Sequence, residues 1–159
     1  MHSYIQTFKN GFKFSGRASR TEFWVFFVVN CLLSAAIVFA GVFGLVGWSS
    51  MMKGGAGLAT VVIGVILTAG IVAIFSLVTL IPTLAVAARR LHDSGRSGKW
   101  LMLYLPVIAI AAFGAVVHSE PLQHLASCCE IVVHIVMVVF MLLPSSTDEN
   151  QYGPKVASN

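Results

Sequence analysis

The chain has 159 residues, of which 57% are hydrophobic and only 10% charged, with a formal net charge of +4. A soluble domain carries about 25% charged residues, so this chain is too poor in charge to cover a water-facing surface. Its apolar residues run in long blocks of membrane-spanning length. The basic excess flanks those blocks and is explained by topology. With no long basic arm, no phosphate-binding glycine loop and no internal repeat, nucleic acid is not a partner to expect.

Residues 1–22 form a polar, basic arm. Tyr4, Ile5, Phe8 and Phe12 recur at helical spacing, with Phe14 just beyond and Lys9 and Lys13 alongside. The pattern predicts a short helix lying in the membrane interface. Ser19-Arg20-Thr21-Glu22 has the form of a capping box, in which Ser19 accepts from the Glu22 amide and Glu22 reaches back to the Ser19 amide. A first span is predicted from Phe23 to Gly47. It holds 25 residues without a charge, about 38 Å of helix. It is too long for a signal-peptide core and is read as retained. Its small residues Ala36, Ala40 and Gly44 are four apart, which suits close helix packing within the bundle.

A glycine-rich connection, 48–57, leads to a second apolar run from Leu58 to Ala88. Pro82 predicts a kink, after which the chain should emerge toward water. Residues 89–99 are the most polar segment, punctuated as a turn by Gly95 and Gly98. A third span is expected from Trp100 to Val117. A fourth, His124 to Leu143, is interrupted by Glu130 and His134 and stopped by Pro144. The expectation is one all-α membrane domain over 1–159: four transmembrane helices, an N-terminal interfacial helix and a polar tail. Four spans put nine of the ten Lys and Arg on one side, leaving only Lys53 on the other. That side, with both termini, should be the cytoplasm.

Two polar clusters fall on it: Gly16 to Trp24, and Arg89 to Trp100. Plain positive-inside anchoring needs only positive charge, yet Glu22, His92 and Asp93 lie among the arginines. The presence of acids predicts that Glu22 or Asp93 pairs with Arg89 or Arg90, joining the arm to the second cluster. His92-Asp93 also admits an acid/base reading, although sequence neighbours point apart on a helix and only Ser94 or Ser97 is at hand as a nucleophile. On the outer side, Glu120/His124, His124/Cys128 and Glu130/His134 each recur at i, i+4. His124, Cys128, Glu130 and His134 are therefore candidate metal ligands, and Glu130 with His134 a candidate ion pathway. There is no paired C-x-x-C, and Cys31, Cys128 and Cys129 make no disulfide framework.

Three stretches then carry a resemblance: F-S-G-R-A-S-R-T-E-F-W (Phe14 to Trp24), R-R-L-H-D-S-G-R-S-G-K-W (Arg89 to Trp100) and N-Q-Y-G-P (Asn150 to Pro154). In this order they resemble the bacterial inner-membrane family called domain of unknown function 805, which includes the YhaH-like proteins. Here Ser145-Ser146 follow Pro144, where that family usually has a glycine. The resemblance implies a small multi-pass protein of the bacterial cytoplasmic membrane. It implies no reaction, substrate or cofactor. It also implies that Arg17, Arg20, Glu22, Trp24, Arg89, Arg90, His92, Asp93, Trp100, Asn150 and Tyr152 act together, with Gly16, Gly95, Gly98 and Gly153.

The function expected is a non-enzymatic interaction or regulatory module. Its basic face would engage anionic membrane lipid or a protein partner through Arg17, Arg20, Arg89, Arg90 and Arg96. A small transporter or channel, necessarily oligomeric, and an intramembrane enzyme using His92 and Asp93 are the alternatives.

Overall fold

The computed structural model describes residues 2–51, 58–146 and 149–154. Lys53 with most of its glycine-rich connection, and the tail from 155 with Lys155, lie outside the described residues. The elements are α1 (His2–Lys9), α2 (Arg20–Met51), α3 (Leu58–Asp93), a 3-10 segment (Gly98–Leu103), α4 (Tyr104–Val116) and α5 (Glu120–Leu142). Four helical stretches are long and apolar enough to cross a membrane, the third combining the 3-10 segment with α4.

α1 is shorter than its aromatic spacing suggests. It ends at Lys9, and Phe12 and Phe14 lie in the irregular stretch that follows. The turn after it packs directly on α3: a Cβ on Gly11 would stand 2.8 Å from Pro82 Cγ. α1 buries Thr7, stacks Tyr4 on Phe26 with centroids 5.1 Å apart, and leaves Ile5 and Phe8 exposed. α2 starts as its capping signal predicts, with the Glu22 amide donating to Ser19 Oγ at 3.1 Å. The reciprocal half of the box is replaced, because the Glu22 carboxylate turns to other partners.

α3 runs through Pro82 as one helix. It corrects one expectation, because the segment after Pro82 is buried by protein rather than exposed to water. Residues 85–91 are all buried beneath the arm, and helical geometry continues to Asp93. Arg89, Arg90, His92 and Asp93 thus ride on the last turns of a rigid helix rather than on a connection. α5 begins at Glu120, four residues before its predicted start.

The helices form two antiparallel hairpins, α2/α3 and α4/α5, which meet through α5 and through the 3-10 segment against α3. The small residues that bring α2 and α3 together are not Ala36, Ala40 and Gly44, which are exposed. They are Gly41, packed against Thr68, and Gly64, packed against Leu45. Ala40 and Gly44 border the same groove between α2 and α3 as Gly41, but do not close it. The buried core, with Phe23, Phe26, Val86, Leu91 and Met141, gathers at the end that also holds α1 and the C-terminal tail. Elsewhere large apolar side chains such as Leu32, Phe39, Ile66 and Leu77 are exposed, as expected of surfaces solvated by lipid chains rather than water.

Candidate functional site

At the end shared by the arm, α3 and the tail, three charged side chains are buried together. Arg17 Nε donates to Asp93 Oδ1 at 2.9 Å, and Arg90 Nη1 donates to Asp93 Oδ2 at 2.5 Å, with every side chain at most 1% exposed. The Ser145 hydroxyl also donates to Asp93 Oδ2. Burying ions costs several kcal/mol each unless their hydrogen-bonding capacity is filled, and here carbonyls fill it. Arg17 Nη2 donates to Ser146 O at 2.9 Å and Nη1 to Gly153 O at 3.4 Å. Arg90 Nε donates to Met141 O at 3.2 Å, and Nη2 to Leu143 O. The last carbonyls of a helix lack intrahelical donors and carry its negative partial charge. Arg90 therefore seals the end of α5, and the surplus positive charge of two guanidiniums on one carboxylate is spread over these oxygens.

A second pair joins α1, α2 and α3. Arg89 Nη1 donates to Glu22 Oε1 at 2.8 Å, and the Thr7 hydroxyl donates to the same oxygen at 3.2 Å. The Arg89 carbonyl accepts from the Ala18 amide at 3.1 Å. Arg89 Nε and Nη2 are buried and have no acceptor among the described residues. The expected pairing of acids with Arg89 and Arg90 thus occurs twice, with Glu22 on Arg89 and Asp93 on Arg90.

His92 points away from Asp93. Its Nδ1 meets Gly16 O at 3.2 Å, and its ring stacks on Tyr152 with centroids 3.8 Å apart and planes 4° apart. Asn150 Nδ2 donates to His92 O at 2.9 Å, while Asn150 Oδ1 accepts from the Tyr152 amide at 2.9 Å. Helix α3 stops in a Schellman arrangement: the Arg96 amide bonds Leu91 O, the Gly95 amide bonds His92 O, and Gly95 adopts φ +77°. The Ser94 hydroxyl donates to Leu91 O and Ser97 Oγ accepts from the Lys99 amide. The His92-Asp93 acid/base pair of the enzyme reading is therefore not assembled, and neither serine is aligned on His92 as a nucleophile.

The remaining residues of the basic face lie outside this latch. Arg20 is exposed and donates to Leu143 O at 3.1 Å. Arg96 lies 4.3 Å over the Phe140 ring, and Trp100 meets the same ring edge-on. Trp24 packs edge-on against Phe23 and Phe27. Arg17, Arg89 and Arg90 turn inward, so the outward charge of this end belongs to Lys9, Lys13, Arg20, Arg96 and Lys99.

Two cavities flank the latch. One, of about 820 Å³, lies between α3, the 3-10 segment and α4; Leu80, Leu84, Leu105 and Ile108 form its apolar wall, and His92, Ser97 and Lys99 its polar border. The other, of about 310 Å³, lies between the two hairpins and is bordered by Trp24, Tyr104, His134 and Met137. On the outer side, no group of three His, Cys, Asp or Glu among the described residues could hold a metal. His124, Cys128, Glu130 and His134 thus do not converge as a ligand set. His134 instead uses Nδ1 on Glu130 O at 2.9 Å and meets the Tyr104 ring edge-on.

Sequence reasoning missed Thr7, Ser145 and Ser146. The only signal for the last two was the departure after Pro144, and Ser145 turns out to serve Asp93 directly. Lys99 counted only toward topology.

The family model described as "Protein of unknown function (DUF805)" matches residues 11–154. The chain is 30% identical to the inner membrane protein YhaI of Escherichia coli (strain K12) over 164 residues, covering all of both chains. It is likewise 30% identical to the inner membrane protein YhaH of the same strain, over 97% of this chain and 95% of that one. No solved structure matches.

Proposed function

We propose that this protein, which belongs to the DUF805 family of proteins of unknown function, is a non-enzymatic inner-membrane module that binds anionic phospholipid at its basic end. That end faces the cytoplasm in this reading, because it holds all the described Lys and Arg. The observation that carries the proposal is the larger cavity. Its wall of Leu80, Leu84, Leu105 and Ile108 suits an acyl chain, and Lys99 with Ser97 and His92 stands where a phosphate would sit. The buried arginines act indirectly: by fixing the end of α3 against the arm and the tail, they hold the His92 side of the cavity in place.

Native mass spectrometry of the protein released from its membrane, and from bilayers of phosphatidylglycerol or phosphatidylcholine, tests this. Wild type should retain phosphatidylglycerol preferentially, and Lys99→Gln should lose that preference while melting normally. Equal retention of both lipids would remove the lipid reading. Co-release of an acidic protein lost in Lys99→Gln would put a protein partner in its place.

A further inference from the structure

Resting on the lipid reading, we infer that the larger cavity binds its anionic head group together with one proton, which His92 Nε2 takes up and donates to the phosphate. The reason is which nitrogen of His92 is already committed. Nδ1 lies 3.2 Å from Gly16 O. A carbonyl only accepts, so Nδ1 carries the hydrogen, and the neutral ring presents a lone pair at Nε2. That nitrogen faces the cavity border. A Cβ on Gly98 would stand 3.3 Å from it, and Gly98, Ala88 and His92 all line the cavity. Nε2 has no hydrogen-bond partner among the described residues. A phosphate oxygen is itself an acceptor, so a lone pair there repels it. Protonation turns the same atom into a charged donor, and a charge-assisted hydrogen bond is about twice as strong as a neutral one. The ring is held in this pose, because the Gly16 bond fixes its edge and the Tyr152 stack, with centroids 3.8 Å apart, fixes its plane.

The other groups around His92 do not supply such a switch. The arm contributes Gly16 O, and the tail contributes the Tyr152 ring and the Asn150 amide, which is bonded to His92 O. The turn and the 3-10 segment contribute Ser97 and Lys99, and α4 contributes Tyr104. The neighbouring carboxylate, Asp93, is held by Arg17, Arg90 and Ser145. Lysine and tyrosine side chains ordinarily keep one charge state between about pH 5.5 and about pH 8.5, whereas histidine changes within that window. A phosphodiester stays a monoanion throughout it.

Calorimetric titration of short-chain phosphatidylglycerol into the full chain in phosphatidylcholine nanodiscs, with empty nanodiscs subtracted, tests this in buffers of different ionisation enthalpy. Wild type should take up protons on binding at about pH 8, to a limit of about one per lipid. Its affinity should rise at least about tenfold as the pH falls to about 5.5, the worth of one hydrogen bond to a charged group. His92→Asn keeps a donor for Gly16 O and removes Nε2, so its affinity should be the same at both pH values. Proton uptake by wild type is read without any variant. Binding of phosphatidylglycerol without proton uptake, or a rise that persists in His92→Asn, overturns the proton coupling and leaves the lipid reading standing. No binding above empty nanodiscs at either pH removes the lipid reading and the coupling with it.

Discussion

Arg17 and Asp93 stand 76 positions apart in the chain, yet Arg17 Nε donates to Asp93 Oδ1 at 2.9 Å with both side chains 1% exposed. This contact converts two polar motifs on separate helices into one object. The tail joins the same object, because Arg17 also holds the Ser146 and Gly153 carbonyls and the Ser146 amide donates to Asp93 O at 2.9 Å.

Asp93 is therefore the most sensitive position of the latch. Asp93→Asn leaves two buried guanidiniums without a countercharge, a loss of about 3–5 kcal/mol. Thermal melting in detergent should show a large drop, and Asp93→Asn with Arg17→Met should recover part of it. A melting profile unchanged by Asp93→Asn would mean that the buried triad contributes nothing to stability.

Glu22→Lys should destabilise the arm more than the bundle. Glu22 is the acceptor for both Arg89 and Thr7, and Arg89 already has two buried nitrogens without an acceptor among the described residues. Removing the one described side-chain bond of Arg89 isolates a buried charge. The expected result is a lower melting temperature with faster tryptic cleavage at Lys9 and Lys13; Glu22→Gln should be milder.

Gly95→Ala tests the Schellman stop of α3. A Cβ at Gly95 meets nothing within 4 Å, so space is not the obstacle. The left-handed backbone is, at about 1–2 kcal/mol for a residue with a side chain. A modest loss of melting temperature is expected, and no loss would show that the turn relaxes without cost.

Tyr152→Ala should free the tail while leaving the helices intact. The His92 stack and the Asn150 bond to His92 O anchor its distal part on α3. Hydrogen exchange should accelerate at the Ser146 and Gly153 amides, with α2 and α3 unchanged. Unaltered exchange would assign tail anchoring to the contacts with Arg17 and Asp93.

Reporter fusions check the orientation. Alkaline phosphatase joined after Val117 should be active and after Pro144 inactive. The reverse pattern would put the basic end outside.

The sequence by itself determined the solvent and the number of crossings. Uncharged runs of spanning length admit a bilayer, and one-sided Lys and Arg are consistent only with an even count of spans. It also exposed the pairing of acids with arginines, because acidic groups in an anchoring cluster have no topological use. That Glu22 or Asp93 pairs with Arg89 or Arg90 was legible for that reason; which acid meets which arginine was not. What only the tertiary structure decided is which way the arginines face. Exposed or buried, an arginine near a membrane surface leaves the same local pattern. Arg17 and Arg90 turn inward because their acceptors, the carbonyls of Met141, Leu143, Ser146 and Gly153, arrive from the far end of the chain. A backbone carbonyl has no signature in the residue that bears it. Likewise, residues 85–91 are buried rather than exposed because the arm covers them, a packing partner that no local helix signal contains.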